Sequence, residues 1–363
     1  MRLLIYIEPT SYLLPLWREI SAQAKVETRL VFLAENLSQP WNLDLQADPN
    51  VEVLSGGRAA KLMRLLHLIG QSDVELVDLA GWGHPLLMVS LLFAAMRRIP
   101  VTIESDTQFD PTTPAWRRVL KRLILPVLFR IPKLFFPAGT RQAAYFMSYG
   151  VNPEQIRIAQ MTVDVRSIMA QVDRHRAEAA HVTRVDQPVI FLYVGRLESY
   201  KGIQDLLDAF VNLVRGGDNG RLIIVGDGGL RGLVESAAGG HPSIEYLGRL
   251  TGEALFRVYS RANVFVLPSR VEPWGLVVNE AMAASLPVIA TDRAGCVDDL
   301  VRDGETGYVV PCASPNCIAD AMRIFTCQPD IAVTMGQRSR QMISTWTLGD
   351  EARILMTAWN ELK

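Results

Sequence analysis

Residues 264–284 read VFVLPSRVEPWGLVVNEAMAA. Val264 to Leu267 is a bulky apolar run that reads as a buried strand, Pro268 and Ser269 end it, and Gly275 opens an amphipathic segment that closes near Ser285. A buried strand followed directly by a helix is the repeating unit of a parallel sheet. Two carboxylates bracket the turn between them. Glu272 lies in the loop off the strand's C-terminal end, and Glu280 about a turn and a half into the helix. Between them the backbone N–H groups of Gly275 and Leu276 have no helical acceptor. Such amides bind anions, and a carboxylate a little further on accepts hydrogen bonds from ribose hydroxyls. The combination suits a sugar joined to a nucleoside through a diphosphate.

Working outward, the same alternation fills the second half: PVIFLYVG, GIQDLLDAF, RLIIVGDGG, IEYLG, EALFRVYS, PVIATD and YVVP. The first half repeats it with LLIYI, TRLVFLAE, VEVLS, VELVDLAG, PVTIESD and KLFFPAG, between helical patterns at Lys61–Ile69, Leu86–Arg97 and Ala143–Tyr149. Strands that need helical crossovers form parallel sheets covered on both faces, so each half reads as a doubly wound α/β domain. The expected division is residues 1–170 for the first domain, 171–187 for a linker and 188–345 for the second. A C-terminal helix over 346–363, with Trp346, Ile354, Leu355 and Trp359, docks on a surface. Ligands of open α/β sheets bind at the C-terminal ends of the strands, which places the expected cleft between the two domains.

Composition agrees with two globular domains. The chain has 363 residues, 49% of them hydrophobic and 21% charged. Its net charge of -1 draws it to no nucleic acid, so any basic function is local. Cys296, Cys312, Cys317 and Cys327 show no C-x-x-C pair and read as reduced, mostly buried thiols of a cytosolic protein. MRLLIYIEPT reads as a first strand rather than a signal peptide, and the apolar segment Pro85–Met96 is too short to span a membrane.

Three further motifs bear on function. FLYVGRLESYKG sets Gly195, Arg196, Lys201 and Gly202 just past a strand, where glycine permits close approach and the cations neutralise a diphosphate. The ordinary reading is a solvent-facing turn, but the Glu272/Glu280 loop in the same half favours the functional one. VGDGGL starts like a dinucleotide fingerprint, yet Arg231 stands where the third glycine or alanine belongs, so Gly226, Asp227 and Gly228 read as a tight turn beside a nucleotide pocket.

The third is PAWRRVLKRLILPVLFRIPKLFF, in which Arg117, Arg118, Lys121, Arg122, Arg130 and Lys133 interleave with Trp116 and a row of apolar residues, uninterrupted by any acid. A basic amphipathic helix with aromatic flanks suits the anionic inner face of a membrane and hence a lipid-linked acceptor. The plainer alternative is a core helix with a solvated basic face, with Pro126 and Pro132 breaking it.

VGRLESYKG, VGDGGL, YLGRL, LPSRVEPWGLVVNEAMAASLPVIATDRAG and VRDGETGYVV, in this order and spacing, resemble the C-terminal domain of family 4 retaining glycosyltransferases, also called glycosyltransferase group 1. The resemblance is close over residues 189–311 and one of topology in the first half. It implies a glycosyltransferase-B fold, a UDP-, GDP- or ADP-sugar held mainly by the second domain, no metal or other cofactor, and a final helix returning to the first domain. On this resemblance Arg196 and Lys201 grip the donor diphosphate, Glu280 binds the ribose and Glu272 sits beside the transferred sugar. Gly195 and the backbone of Gly275, Leu276 and Val277 hold phosphate and sugar, and Arg249 and Leu250 lie near the base.

The chain departs from that family in places. EPTSYLL lacks the glycine pair often found after the first strand, Asp299 stands for a glutamate, and Ser105, Asp106 and Thr107 occupy the stretch where many members carry a histidine. Asp106 is then the nearest group to contact the sugar or polarise a hydroxyl, unless it is a turn cap, and His84 is the other candidate. A missing histidine need not end catalysis: when the acceptor attacks the face from which the diphosphate leaves, a phosphate oxygen takes its proton and anomeric configuration is retained. The expected activity is transfer to a glycan on a lipid carrier in surface polysaccharide or lipopolysaccharide assembly. The competing readings are a catalytically silent nucleotide-sugar-binding subunit and a sugar-nucleotide epimerase on the same fold.

Overall fold

The computed structural model describes residues 1–10, 12–34, 45, 48–179 and 187–362. It divides into two compact units, Met1–Met161 with Leu348–Lys363, and Thr162–Thr347. In the first unit the chain runs β1 (Arg2–Tyr6), α1 (Leu13–Gln23), β2 (Thr28–Phe32), β3 (Val51–Val53), α2 (Arg58–Ile69), β4 (Leu76–Ala80), α3 (Pro85–Met96), β5 (Val101–Ser105), α4 (Ala115–Leu128), β6 (Leu134–Pro137) and α5 (Thr140–Ser148). The sheet order is β3-β2-β1-β4-β5-β6, with every pair parallel. Leu3, Leu4, Ile5, Val77, Leu79 and Ile103 are essentially inaccessible, as strands covered on both faces require.

The second unit runs α6 (Val165–Ala179), β7 (Val189–Val194), α7 (Ile203–Arg215), β8 (Gly220–Val225), α8 (Arg231–Gly240), β9 (Ile244–Tyr246), α9 (Gly252–Arg261), β10 (Val264–Leu267), α10 (Leu276–Ala283), β11 (Val288–Thr291), α11 (Val297–Leu300), β12 (Gly307–Val310), α12 (Pro315–Cys327) and α13 (Pro329–Ile343). Its order, β12-β11-β10-β7-β8-β9, is again wholly parallel. Counted from its own first strand this is the same winding as the first sheet, so both units reverse direction beside their first strand. The reversal falls between β1 and β4 in one unit and between β7 and β10 in the other. Crossovers leave on opposite faces there, and the opened crevice is where such sheets take ligands.

The last helix, α14 (Leu348–Asn360), belongs to the first unit. Its Leu348, Ala352, Leu355, Ala358 and Trp359 pack with Leu13, Trp17, Leu30 and Phe136. Trp359 is 1% exposed and donates its indole N–H to Thr102 Oγ1 at 3.2 Å. The Arg2 guanidinium lies 5.6 Å from its ring centroid and donates to Asn360 Oδ1 at 2.6 Å.

Details differ from the sequence reading. Trp346 stays outside the last helix and stacks on Trp274 of the second unit, 5.9 Å between centroids. The division falls at 161/162, and residues 165–179 of the charged, alanine-rich stretch form α6, which packs on α9 and α10. Residues 180–186 of the expected linker lie outside the described residues. Pro126 does not break α4 but sits in its last turn, where it forgoes a single helical hydrogen bond. Only Cys296 among the four cysteines is buried; Cys312 and Cys317 are half-buried and Cys327 is exposed.

Trp359→Ala is expected to lower the stability of the first unit by about 3–5 kcal/mol in urea unfolding, the usual effect of emptying a large aromatic site. Trp359→Phe, which retains most of the packing, is expected to fall well short of that loss.

Candidate functional site

In the second unit the loops after β7 and β10 meet at the point where the sheet reverses. Gly202 makes the meeting possible: it holds φ +69°, and a Cβ there would lie 2.0 Å from the Pro268 carbonyl oxygen. Only glycine tolerates both the left-handed backbone and that approach. The contact sets Lys201 Nζ 2.5 Å from Glu272 Oε2, with the two side chains only 12% and 10% exposed. Ser269 Oγ donates to the same carboxylate oxygen at 3.2 Å, and the Glu272 carbonyl accepts from Gly295 N–H at 2.9 Å. Lys201 and Glu272 are thus held before any ligand arrives.

Arg196 is exposed beside this pair, its guanidinium 5.5 Å from the Tyr200 ring centroid. Its own carbonyl is fixed by the hydroxyl of buried Tyr193, which donates to it at 2.8 Å. Gly195 bonds through its N–H to the Val225 carbonyl, and Gly226 N–H bonds to the Gly248 carbonyl. These bonds link the ends of β7, β8 and β9, and Arg249 and Leu250 follow on the last of them. Arg249 is exposed and Leu250 half-buried.

Gly275 caps α10 at φ +107°, and no side chain caps that helix start. Leu276 and Val277, both half-buried, supply the first-turn amides. Glu280, one turn on, accepts from the Tyr259 hydroxyl at 2.8 Å. Burial raises its carboxyl to about 7, against the opposing pull of that hydrogen bond. Arg196, Lys201, Glu272, Gly275 and Glu280 therefore all follow β7 or β10, the two strands that flank the reversal. Asp299 sits in α11 rather than in a free loop.

The first unit has its own crevice at the matching place. A cavity of about 580 Å³ opens at the ends of β1, β4, β5 and β6, lined among others by Tyr6, Trp82, Glu104, Asp106, Lys121 and Glu351. Asp106 is exposed on its wall. Beneath it lies a carboxyl pair. Asp78 is wholly buried, and burial, then the charge of Glu104, raises its carboxyl well above the ordinary range. Glu104 is raised too, by burial, against hydrogen bonds from Tyr6 and Asp78. Burial thus favours the protonated form of both carboxyls, and a protonated carboxyl can donate as well as accept hydrogen bonds.

His84 is outside this cavity lining. Its Nδ1 accepts the Leu86 N–H at 3.2 Å as the cap of α3, and burial lowers its pKa. Arg117, Arg118 and Arg122 stand exposed on α4, and Lys121 reaches 5.7 Å from the Tyr145 ring centroid. Among the described residues no group of three or more His, Cys, Asp or Glu is arranged to hold a metal ion.

Sequence reading missed Glu104, Asp78, Tyr6, Trp82 and Tyr259. A signal for Glu104 was present: it ends a buried strand, shares a face with Thr102 two residues earlier, and Thr102 is registered opposite Asp78. Nothing in the local sequence around Tyr259 points to Glu280, which it meets where α9 and α10 both pack on α6.

Comparison with known proteins agrees with this geometry. Residues 175–342 match the family model described as glycosyl transferases group 1. An alpha-D-kanosaminyltransferase of Streptomyces kanamyceticus is 32% identical over 173 residues, covering 47% of this chain and 45% of that protein. The capsular polysaccharide biosynthesis glycosyltransferase CapM of Staphylococcus aureus is 27% identical over 177 residues, covering 48% of this chain and 46% of its own length. The chain thus spans about half the length of these relatives. Among solved structures, Alr3699/HepE of Anabaena in complex with UDP superposes with a TM-score of 0.79 at 15% identity, covering 99% of this chain and 100% of that one, a likeness of fold. Over residues 175–342, nearly all of the second unit, the chain is thus similar to the group 1 glycosyltransferases, and each unit carries a six-stranded parallel sheet, as the glycosyltransferase-B fold of such structures requires.

Proposed function

We propose that the protein is a retaining, metal-independent glycosyltransferase that moves a sugar from a nucleotide-diphosphate sugar to an acceptor hydroxyl. The observation that carries this reading is the Lys201–Glu272 pair at 2.5 Å, set at the sheet reversal beside Arg196 and the uncapped start of α10. Arg196 and Lys201 neutralise the departing diphosphate, which needs most help as its bond to the sugar breaks. The first-turn amides of α10 hold phosphate and sugar. Glu280 accepts from the ribose hydroxyls, Arg249 and Leu250 flank the base, and Glu272 faces the transferred sugar. A diphosphate oxygen takes the acceptor proton on the face from which it leaves, so anomeric configuration is kept. The donor is a UDP-, GDP- or ADP-sugar.

The acceptor belongs to the first unit. Its cavity joins Trp82 and Tyr6, which cover a sugar face, to Glu104 and Asp106, which bind hydroxyls. That lining suits a glycan better than a phosphate, since among the described residues its carboxyl groups outnumber the one cation, Lys121. The glycan is carried on a lipid in surface polysaccharide or lipopolysaccharide assembly, and the protein meets it at the inner face of the cytoplasmic membrane. Support for the pathway comes from the matched relative named for capsular polysaccharide biosynthesis. Among the described residues no helix is long and apolar enough to cross a membrane, so contact with it is peripheral in this reading.

Three outcomes test the reading. Proton NMR of the product is expected to show the anomeric configuration of the donor; inversion would refute the same-face mechanism. Lys201→Ala is expected to lower kcat more than tenfold with a smaller change in donor KM, because its partner charge develops in the transition state; a kcat within twofold of wild type removes Lys201 from the mechanism. Third, ionised Glu280 accepts from two hydroxyls and its protonated form does not, so nucleotide affinity rises as pH climbs through about 7. The sign for folding is opposite: a carboxyl raised to about 7 keeps its proton in the folded state, so its contribution to stability is lost as pH rises from the ordinary carboxylate range through 7. Calorimetric titration of Glu280→Gln is expected to show affinity about tenfold weaker at pH 8 and flat with pH.

A further inference from the structure

Helix α4 is amphipathic the wrong way round for a core helix. Trp116, Val119, Leu120, Leu123, Ile124 and Val127 are between 47% and 69% exposed, while Leu125 and Leu128 alone are buried. The six exposed residues recur at i, i+3, i+4, i+7, i+8 and i+11, one continuous stripe on the side of the helix opposite its two anchors. Scattered surface leucines need no account, but an ordered row of this length does.

The flanks of the stripe are basic. Arg117, Arg118 and Arg122 are exposed on α4 itself, Arg130 and Lys133 follow, and from residue 111 to residue 153 there is no Asp or Glu at all. The Arg117 guanidinium lies 5.1 Å from the Trp116 ring centroid, so cation and aromatic form one surface. The occupant of this face must be apolar and anionic together. A second copy of the chain offers the apolar match, but a two-fold contact would set the two arginine rows against each other. A nucleic acid offers charge without a surface for six aliphatic and aromatic side chains. A bilayer with anionic headgroups supplies both.

We propose that α4 docks the protein on an anionic lipid bilayer, with the Trp116–Val127 stripe seated among the acyl chains and Arg117, Arg118 and Arg122 on the headgroups. The docking deepens the acceptor side of the proposed function and rests on it only for its purpose. Lys121 of the same helix lines the cavity of the first unit, so one helix forms both the docking face and part of the cavity wall. An acceptor glycan whose carrier lies in the bilayer then reaches the cavity along α4.

Co-sedimentation of the full chain with vesicles tests this, using phosphatidylcholine alone and phosphatidylcholine mixed with phosphatidylglycerol. Wild type is expected to bind the mixed vesicles, with Trp116 fluorescence moving to the blue, and to leave them as salt rises. Trp116→Ser/Leu123→Ser/Val127→Ser and Arg117→Gln/Arg118→Gln/Arg122→Gln are each expected to lower partition about tenfold or more. All six side chains are exposed, and unchanged melting temperatures would confirm that both variants are folded. Failure of wild type to bind the mixed vesicles overturns the proposal, as does a serine variant that binds like wild type. Self-association without lipid that the serine variant abolishes assigns the face to a second copy and overturns it too. No nucleotide sugar enters this measurement, so a negative result leaves the transfer reading standing. Conversely, failure to transfer sugar to a lipid-free acceptor would refute that reading and leave the docking intact.

Discussion

In the second unit Gly202 comes so near the carbonyl of Pro268 that a single added Cβ would sit 2.0 Å from oxygen. The candidate donor site depends on this approach. It draws the end of β7 to the end of β10, and so places Lys201 against Glu272 in a nearly water-free setting. Isolated buried charges are costly, and such a pair holds only when the surrounding groups complete its hydrogen bonds. Ser269 bonds to the carboxylate here, and the bond from Gly295 N–H to the Glu272 carbonyl holds the loop that carries it. A cation fixed in this way needs no reorganisation when charge develops on a leaving group, which is what gives preorganised sites their effect.

The two units share a winding and differ in what they place at its reversal. In the second the ends of β7 and β10 bring the cations Arg196 and Lys201 and an open helix start, suited to phosphates, together with Glu272 and Glu280. In the first the ends of β1, β4 and β5 bring aromatic rings and carboxyl groups whose protonated form burial favours, suited to hydroxyls. The same backbone geometry thus supplies two strand-end sites of different chemistry, and the difference lies in a few residues per strand end. The helix that closes the first unit, α14, returns there because its Trp359 finds both a hydrogen-bond partner and a cation among β5 and β1.

Much of this was legible in the residues. The apolar runs were short, β-rich and spaced by helical patterns, which leaves few alternatives to two parallel sheets, and every strand of both sheets corresponds to one of those runs. The strand-end motifs around Arg196 and Glu272 were legible because each carries its signal within a dozen residues. What was not legible depended on distance. Asp78 and Glu104 pair across strands whose register no local pattern declares. Tyr259 meets Glu280 only after α9 and α10 pack, and Trp346 leaves the last helix because Trp274 offers it a partner. The α4 segment was ambiguous for a physical reason: its sequence shows an amphipathic helix, and hydrophobic periodicity cannot say which face turns inward.

Thermal denaturation in the presence of UDP-, GDP- and ADP-sugars, wild type beside Glu280→Ala, tests the central claim most directly, since a ligand that binds only the folded state raises its melting temperature. The account predicts that at least one of these donors raises the melting temperature of wild type and that Glu280→Ala loses most of the rise. No shift with any of them, or an equal shift in the variant, would contradict it.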